Sequence, residues 1–486
     1  MHSVVLVLYL LPVLLILSYG VVQLVLVIHY LAARKKEISH PEVPSVLPKV
    51  VVQLPIYNEK YVIERLIKQV AQLEYPLDKL EIQVLDDSTD ETTELVQNAV
   101  NTLPEAIKSI VKHIRRPDRR GFKAGALAFG LTQTDAEFVA IFDADFLPDP
   151  AFLQKTIPHF YRKEVGVVQT RWAHLNASFS LLTELQGFGL DAHFTIEQVG
   201  RNAQNHFINF NGTAGVWRIK TIEDAGGWEA DTLTEDLDLS YRAQVKGWEF
   251  VYLRDVASPA ELPVSMEAIK SQQYRWMKGG AECLVKNTKR VFQAKGLSMS
   301  TRLHGFFHLL NSSIFVGVFF SGLLSLPAAW VISQHPDWAT YAKWTAFFQI
   351  SWVILGFFYW LAYSEQKQSF GRFLRLFLSF LTFMMGLSLH NALAVLEGYT
   401  GRKTPFVRTP KFNVSEVSAS WKSNSYLTKK VPLITYLEAG LGLYYIFAVL
   451  ADISLGFVGM IPFHAMYATG LLLVVYYTFK HQGLPR

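Results

Sequence analysis

A chain of 486 residues, half of them hydrophobic, is long enough for two or three domains. Its 46 Lys and Arg against 41 Asp and Glu leave a net charge of +5, too small at this length to indicate a nucleic-acid partner. The single cysteine, Cys283, excludes an internal disulfide and agrees with a reducing compartment.

The chain opens on an almost uncharged run, Val4 to Leu31, long enough to span a bilayer as a helix. It has no basic n-region and no small-residue cleavage site, so it reads as a retained helix rather than a signal peptide. "ARKKE" follows at once. Arg34, Lys35 and Lys36 place this end in the cytoplasm and the N-terminus outside. Residues 1–36 are therefore expected to form an N-terminal transmembrane helix, and residues 48–300, of ordinary soluble composition, a cytoplasmic domain.

Within that domain, apolar β-branched runs alternate with helical patterns. "KVVVQLPIYN" predicts a buried strand, and a helix follows from Glu59 with Val62, Leu66 and Val70 on one side. "LEIQVLDDS", "SIVKHIRR" and "EFVAIFDAD" predict further strands, with "DETTELVQNAV" as a helix between the first two. Strand–helix alternation implies an α/β domain with a mostly parallel sheet, whose ligands bind outside the carboxyl ends of the strands. Polar residues gather at three such ends: Tyr57, Asn58 and Glu59; Asp86, Asp87 and Ser88; Asp143 and Asp145. Structural caps explain one or two of these, and a nucleotide site explains the concentration.

"FDADF" carries two carboxylates two residues apart, so Asp143 and Asp145 can point the same way. A divalent cation, Mg²⁺ or Mn²⁺, shared with substrate phosphates is the usual solution to that charge. In "RRGFKAGAL", Arg120 and Lys123 flank Gly121 in a loop that leads into a helix, a setting that favours phosphate. In "LTEDLDLSYRAQVKGW", Thr234 reads as an N-cap with Glu235 and Asp236 in the first turn. Such acids usually oppose the helix dipole; the competing role for Asp236 is a general base for an acceptor hydroxyl. In "SQQYRWMKGG", a helix would put Gln272, Arg275 and Trp276 on one face. That face would serve equally well as a basic-aromatic interfacial anchor.

Residues 301–486 are expected to form a membrane region, with spans near 304–332, 341–363, 436–454 and 456–479. If every apolar segment crossed, the basic stretch holding Arg402, Lys403, Arg408, Lys411, Lys422, Lys429 and Lys430 would lie outside, against the positive-inside rule. The repair is that 373–396, flanked by Arg372 and Arg375 and interrupted by His390 and Asn391, lies at the interface and does not span. Five spans remain, with the C-terminus inside.

These motifs in this order ("VLDDS", "FDADF", "TED" and "QQYRW") resemble the family 2 glycosyltransferases, and within them the processive, cellulose-synthase-like branch. "FVRTPKF" resembles that branch's gating loop, here within 401–430. "VQLPIYNE", "IQVLDDSTD" and "FNGTAGVWR" look closest to plant-type mannan and xyloglucan-backbone glucan synthases. The resemblance implies a GT-A-like domain and a membrane-embedded, inverting, processive hexosyltransferase. Its donor would be a nucleotide-diphosphate sugar, UDP-glucose or GDP-mannose, and its acceptor a growing polysaccharide, exported through the membrane region among lipids.

By the same resemblance, Asp143 and Asp145 would hold the metal, and Asp86 or Asp87 would contact the base or ribose. Lys123, Asp143 and Arg275 would meet the diphosphate. Asp236 would be the base. Asn211, Gly212, Thr213, Gln272, Gln273 and Trp276 would hold the acceptor, with Phe406, Arg408, Thr409 and Lys411 in the gating-like loop. The chain departs from bacterial cellulose synthases in having one early span and no apparent cyclic-dinucleotide domain, which puts regulation by that messenger in doubt. Two other readings stay open: a single transfer that makes a membrane glycolipid, and a transporter whose soluble domain only senses a nucleotide sugar. The sequence carries no sign of the oligomeric state.

Overall fold

The structure is a computed structural model that describes residues 2–35, 41–43, 45–335, 350–366, 368–404, 407–414, 421, 424–427 and 430–482. Seven strands form one sheet: β1 (Val50–Ile56), β2 (Leu80–Asp86), β3 (Val111–Ile114), β4 (Phe138–Ile141), β5 (Val165–His174), β6 (Gly215–Arg218) and β7 (Glu249–Ala260). Their order is β3-β2-β1-β4-β6-β5-β7. Only β6 runs against its neighbours β4 and β5; the other pairings are parallel, giving the GT-A-like, mostly parallel sheet.

Strand β1 explains itself. Val50, Val52 and Leu54 face one apolar cluster and Val51 faces another, so both faces are covered and the run reads as continuously hydrophobic. From β1 the chain moves outward to β2 and β3, then returns to place β4 on β1's other side. The crevice between β1 and β4 is the topological switch point, where open α/β sheets bind ligands.

Among the described residues, four helices are long and apolar enough to cross a membrane: Ser3–Ala33, Met299–Ser333, Leu433–Leu455 and Val458–His481. Of the segment expected at 341–363, only the helix Ile350–Ser364 falls within the described residues. The segment expected to be interfacial is a bent pair, Phe370–Gly386 and Ser388–Tyr399, broken by 54°. The start of the pair and the residues just past its end touch the sheet domain: Arg372 pairs with Glu184 at 2.8 Å, and Lys403 donates to the Asp231 carbonyl at 3.2 Å. Of the described residues beyond it, Ser425 lies on that side as well, its amide donating to the Tyr61 hydroxyl at 3.1 Å.

Helix Met266–Gln293 joins the two regions, capped by Ser265, whose hydroxyl accepts from the Ala268 amide at 3.2 Å. It runs along Ser388–Tyr399 and beside the Glu235–Val245 helix. Gly279 permits the second approach, since a Cβ there would meet Thr234 at 2.6 Å. Thr234 does precede the Glu235–Val245 helix, but its hydroxyl makes no cap bond. It faces Cys283 at 3.4 Å instead, and the thiol is buried as packing.

Candidate active site

A cavity of about 1300 Å³, part of it open to solvent, lies at the switch point. Asp87, Lys123, Asp143, Asp145, Asn211, Gly212, Asp236, Gln272, Arg275, Trp276, Arg408, Thr409 and Lys411 all line it. Residues from distant parts of the sequence therefore meet in one space.

The turn after β4 delivers the two aspartates. Asp143 Oδ1 accepts from Lys123 Nζ at 2.6 Å, and the same ammonium reaches the Gly212 carbonyl at 2.8 Å. Burial works against the charge on Lys123, but Asp143, Glu235 and Asp236 outweigh it and hold the ammonium above the usual lysine range. Asp145 is buried; its Oδ2 meets Lys411 Nζ at 2.7 Å, and its Oδ1 has no hydrogen-bond partner among the described residues.

That orphaned carboxylate oxygen, beside a second carboxylate and with an ammonium already drawn to its other oxygen, is the donor set a hard divalent cation requires. The residues present thus fit Mg²⁺ or Mn²⁺.

The opposite side of the cavity is built differently. Asp236, in the first turn of Glu235–Val245, has one bond to its own helix, from the Leu237 amide at 2.9 Å. Burial, and then the adjacent Glu235, push its carboxyl up to about 7 against the pull of Lys123. Gly212 has φ of 79°, and a Cβ there would lie 2.9 Å from Asp236 Oδ2, so only glycine leaves that oxygen open. Gln272, Arg275 and Trp276 share the cavity face of Met266–Gln293.

A lid from the membrane region closes the top. Arg408 pairs with Glu59 at 2.5 Å, Thr409 accepts from Arg275 at 2.8 Å, and Lys411 holds Asp145. Burial outweighs Arg408 and Lys411 and pushes Glu59 up to about 7. Phe406 lies outside the described residues.

Three expected residues are not brought to the cavity wall. Asp86 is sealed behind it, its carboxylate accepting from the Ser88 amide and Thr93 hydroxyl, each at 2.8 Å, and meeting His113 at 3.0 Å. Burial opposes its charge, but His113, Ser88 and Thr93 win and hold it down to about 2. Asp87, one residue on, faces the cavity and is gripped by both arms of Arg116. Thr213 is buried beneath Asp143, whose amide donates to its hydroxyl at 2.9 Å, so it sets the Asp143 turn. Gln273 points the other way and accepts from Asn391 at 3.3 Å.

The cavity also holds residues the sequence reading did not assign. Arg119 lies over the Tyr57 ring at 3.3 Å, a platform next to Asp87. The polar strand end at Tyr57–Glu59 and the basic loop were visible signals for it. Trp172 and His174 of β5 line the far wall, and nothing in their strand pattern distinguishes them from core.

Comparison with known proteins follows the same lines. Residues 48–279 match the family described as glycosyltransferase like family 2. The chain is 42% identical over 303 residues to probable glucomannan 4-beta-mannosyltransferase 3 of Arabidopsis thaliana, across 60% of this chain and 54% of that protein. It is 41% identical over 303 residues to glucomannan 4-beta-mannosyltransferase 1 of Cyamopsis tetragonoloba, across 59% and 56%. The chain spans about half the length of these two relatives. Against probable glucomannan 4-beta-mannosyltransferase 11 of Arabidopsis thaliana it is 39% identical over 304 residues, 60% of this chain and 68% of that one. Among solved structures, a mannosyltransferase from Pyrobaculum calidifontis in complex with GDP-Man and Mn²⁺ shares the fold at a TM-score of 0.53. The similarity covers 72% of this chain and 97% of that one, at 20% sequence identity.

Proposed function

The chain belongs to the family 2 glycosyltransferases, and from that premise we propose that it is an inverting, processive β-hexosyltransferase that builds a mannan-type polysaccharide from GDP-mannose. The observation that carries this reading is the meeting of Asp143 and Asp145, Asp236, and the Arg275–Trp276 face in one cavity. The names of the relatives favour mannose over glucose as the sugar and a 4-linked product.

The donor lies at the strand ends, with its nucleoside beside Asp87 and the Tyr57–Arg119 platform. Lys123, Arg275 and Lys411 bring positive charge to its diphosphate, where negative charge grows as the group leaves. A divalent cation on Asp143 and Asp145 supplies further charge there. Trp276 stacks under the acceptor's terminal sugar, and Asn211 and Gln272 hydrogen-bond it. Asp236 Oδ2 accepts the proton of the acceptor hydroxyl. That oxygen forms its bond to the anomeric carbon from the face opposite the breaking bond to phosphate. An α-linked donor thereby gives a β-linked product, and the nucleoside diphosphate leaves.

Export is supported by a second cavity of about 1370 Å³ among the membrane-region helices. It begins at Met277, the residue after Trp276, and is lined by Tyr19, Asn311, Trp352, Tyr359 and Met384 among others. Orientation, with the N-terminus outside and the catalytic domain cytoplasmic, is supported by the ends of the bent pair and by Ser425, all on the catalytic side. In a Cys283→Ser background, Ser425→Cys should react with impermeant maleimide only once the inner face is opened. Labelling of intact cells would overturn this orientation.

The deciding experiment gives membranes radiolabelled GDP-mannose or UDP-glucose with Mg²⁺ or Mn²⁺, and digests the product with linkage-specific hydrolases. A β-1,4-mannanase-sensitive polymer from GDP-mannose is expected. Polymer from UDP-glucose alone would overturn the choice of sugar, and one sugar per lipid would overturn processivity.

A further inference from the structure

Away from the cavity, three histidines from distant segments meet where the catalytic domain touches the membrane region. His29 lies four residues before the end of the N-terminal helix His2–Ala33, His206 lies in the loop leading to Asn211, and His304 is on Met299–Leu309. One ring nitrogen from each lies within 4.8 Å of the other two. The His206 and His304 rings stack at 4.0 Å, and His29 stands 5.6 Å and 5.5 Å from them. We propose that His29, His206 and His304 form a binding site for a divalent transition-metal ion of the zinc class, separate from the Asp143–Asp145 site.

Packing alone does not account for the cluster. Stacking packs the faces of His206 and His304 but satisfies no ring nitrogen, and His29 Nδ1 is buried with no hydrogen-bond partner among the described residues. A buried nitrogen lone pair or N–H without a partner is costly to leave unsatisfied, and a metal bond satisfies it. His206 is oriented for the role. Its Nδ1 meets the Thr301 hydroxyl at 3.2 Å, leaving Nε2 as the ligand atom, in the manner of a metal-bound imidazole steadied through its other nitrogen.

The charge state also suits. Zinc binds the neutral imidazole, and no acid of the cluster competes for its ring nitrogens. Arg201, a cation in the vicinity of His206, is paired with Glu197 at 3.1 Å. Zn–N bonds of ~2.0–2.1 Å place tetrahedral ligand nitrogens ~3.3 Å apart, so the three nitrogens close by about 1.5 Å at most, within side-chain rotation. His29 and His304 are only half-buried, which leaves a side open for water as fourth ligand.

Ligand chemistry separates this site from the catalytic one. Three imidazoles and no carboxylate disfavour Mg²⁺ and Ca²⁺ and suit zinc, cobalt or nickel. Its place gives it a consequence: a bound ion would fasten the loop carrying Asn211 and Gly212 to the N-terminal helix and to Met299–Leu309.

The test uses the full chain in detergent with a tag free of histidine, stripped with chelator and passed through gel filtration after loading. Zinc by elemental analysis should come to about one per chain in the wild type and in Asp145→Asn, and fall below about one fifth in His206→Gln and in His29→Gln. Cobalt loading of the wild type alone, which needs no variant to fold, should give the visible absorption of a tetrahedral nitrogen-ligated site. No retained zinc in the wild type, no cobalt spectrum, or equal zinc in the wild type and both histidine variants would overturn the assignment.

Discussion

The two walls of the catalytic cavity handle carboxylate charge in opposite ways. On the donor wall the acids lining the cavity each have a cation against them: Asp143 has Lys123, Asp145 has Lys411, Glu59 has Arg408, Asp87 has Arg116 and Glu261 has Arg65. On the acceptor wall Asp236 has no ammonium or guanidinium within salt-bridge distance among the described residues, and its neighbour is another acid. A cation against a carboxylate favours its charged form, although at Glu59 burial outweighs Arg408 and Lys411 and pushes that carboxyl up to about 7. An unpaired one beside a like charge is left with a pKa near neutrality, which suits a group that must take up a proton and release it. The contrast separates binding from proton transfer before any substrate is placed.

The largest expected effect breaks the donor wall. Asp145→Asn exchanges a charged oxygen for a neutral amide at the cation's position, and metal assistance amounts to several kcal/mol of charge stabilisation. Transfer should fall ~10³-fold or more at saturating Mn²⁺. Chelator should silence the wild type reversibly, measured as label incorporated into polymer. Undiminished incorporation with excess chelator would remove the metal from the donor wall.

Breaking the acceptor wall should look different. Asp236→Asn should reduce transfer ~10²–10⁴-fold, the usual reach of general-base catalysis, while donor affinity by calorimetry stays near wild type. Trp276→Ala should also keep donor affinity but lose the acceptor platform, so slow hydrolysis of the nucleotide sugar persists. Equal hydrolysis in the two variants would show that Asp236 does not activate the nucleophile.

A smaller effect concerns the lid. Lys411→Ala leaves Asp145 buried without its cation in the metal-free protein, a loss of about 1–3 kcal/mol after allowing for partial exposure of the lysine. The thermal midpoint should drop without metal and recover with Mn²⁺ and nucleoside diphosphate. A drop of the same size in both conditions would mean that Lys411 and the cation do not share Asp145.

The donor wall was the more legible in the sequence. The strands that build it are doubly buried, so Val50–Leu54 and Phe138–Ile141 stand out as apolar runs and the acids fall directly at their ends. What pattern could not decide was which of two adjacent acids faces the ligand. Successive strand residues point oppositely, and only the packing of β3 against β2 brings His113 onto Asp86 and leaves Asp87 to the cavity. Helical geometry carried Gln272, Arg275 and Trp276 to one face, and the same geometry turns Gln273 away toward Asn391. The lid's partners were not readable at all. Arg408 meets Glu59 and Lys411 meets Asp145 across hundreds of residues, and a basic loop does not name the acids it closes on. Trp172 and His174 were hidden for a different reason: they end a strand whose first six residues are buried, and only the fold brings its partly exposed last four to the cavity.

The finest test of the contrast between the walls is Glu235→Gln. Asp236 stands near 7 because of burial first and the Glu235 charge second. Removing that charge while keeping the side chain's size should lower the Asp236 pKa by ~1 unit. For a base, the rate constant kcat/KM rises as the group ionises, so the acid limb of the profile lies near pH 7 in the wild type and moves toward 6 in the variant. At pH 6 the ionised fraction would then rise from about one tenth to about one half, making the variant about fivefold faster there. Well above pH 8 both forms are ionised and the gain disappears; a less basic carboxylate should even leave the plateau slightly lower. A structural role for Glu235 would lower the whole profile without moving its limb. If the limb stays at the same pH in Glu235→Gln, the titration belongs to another group, and Asp236 loses its place as the base.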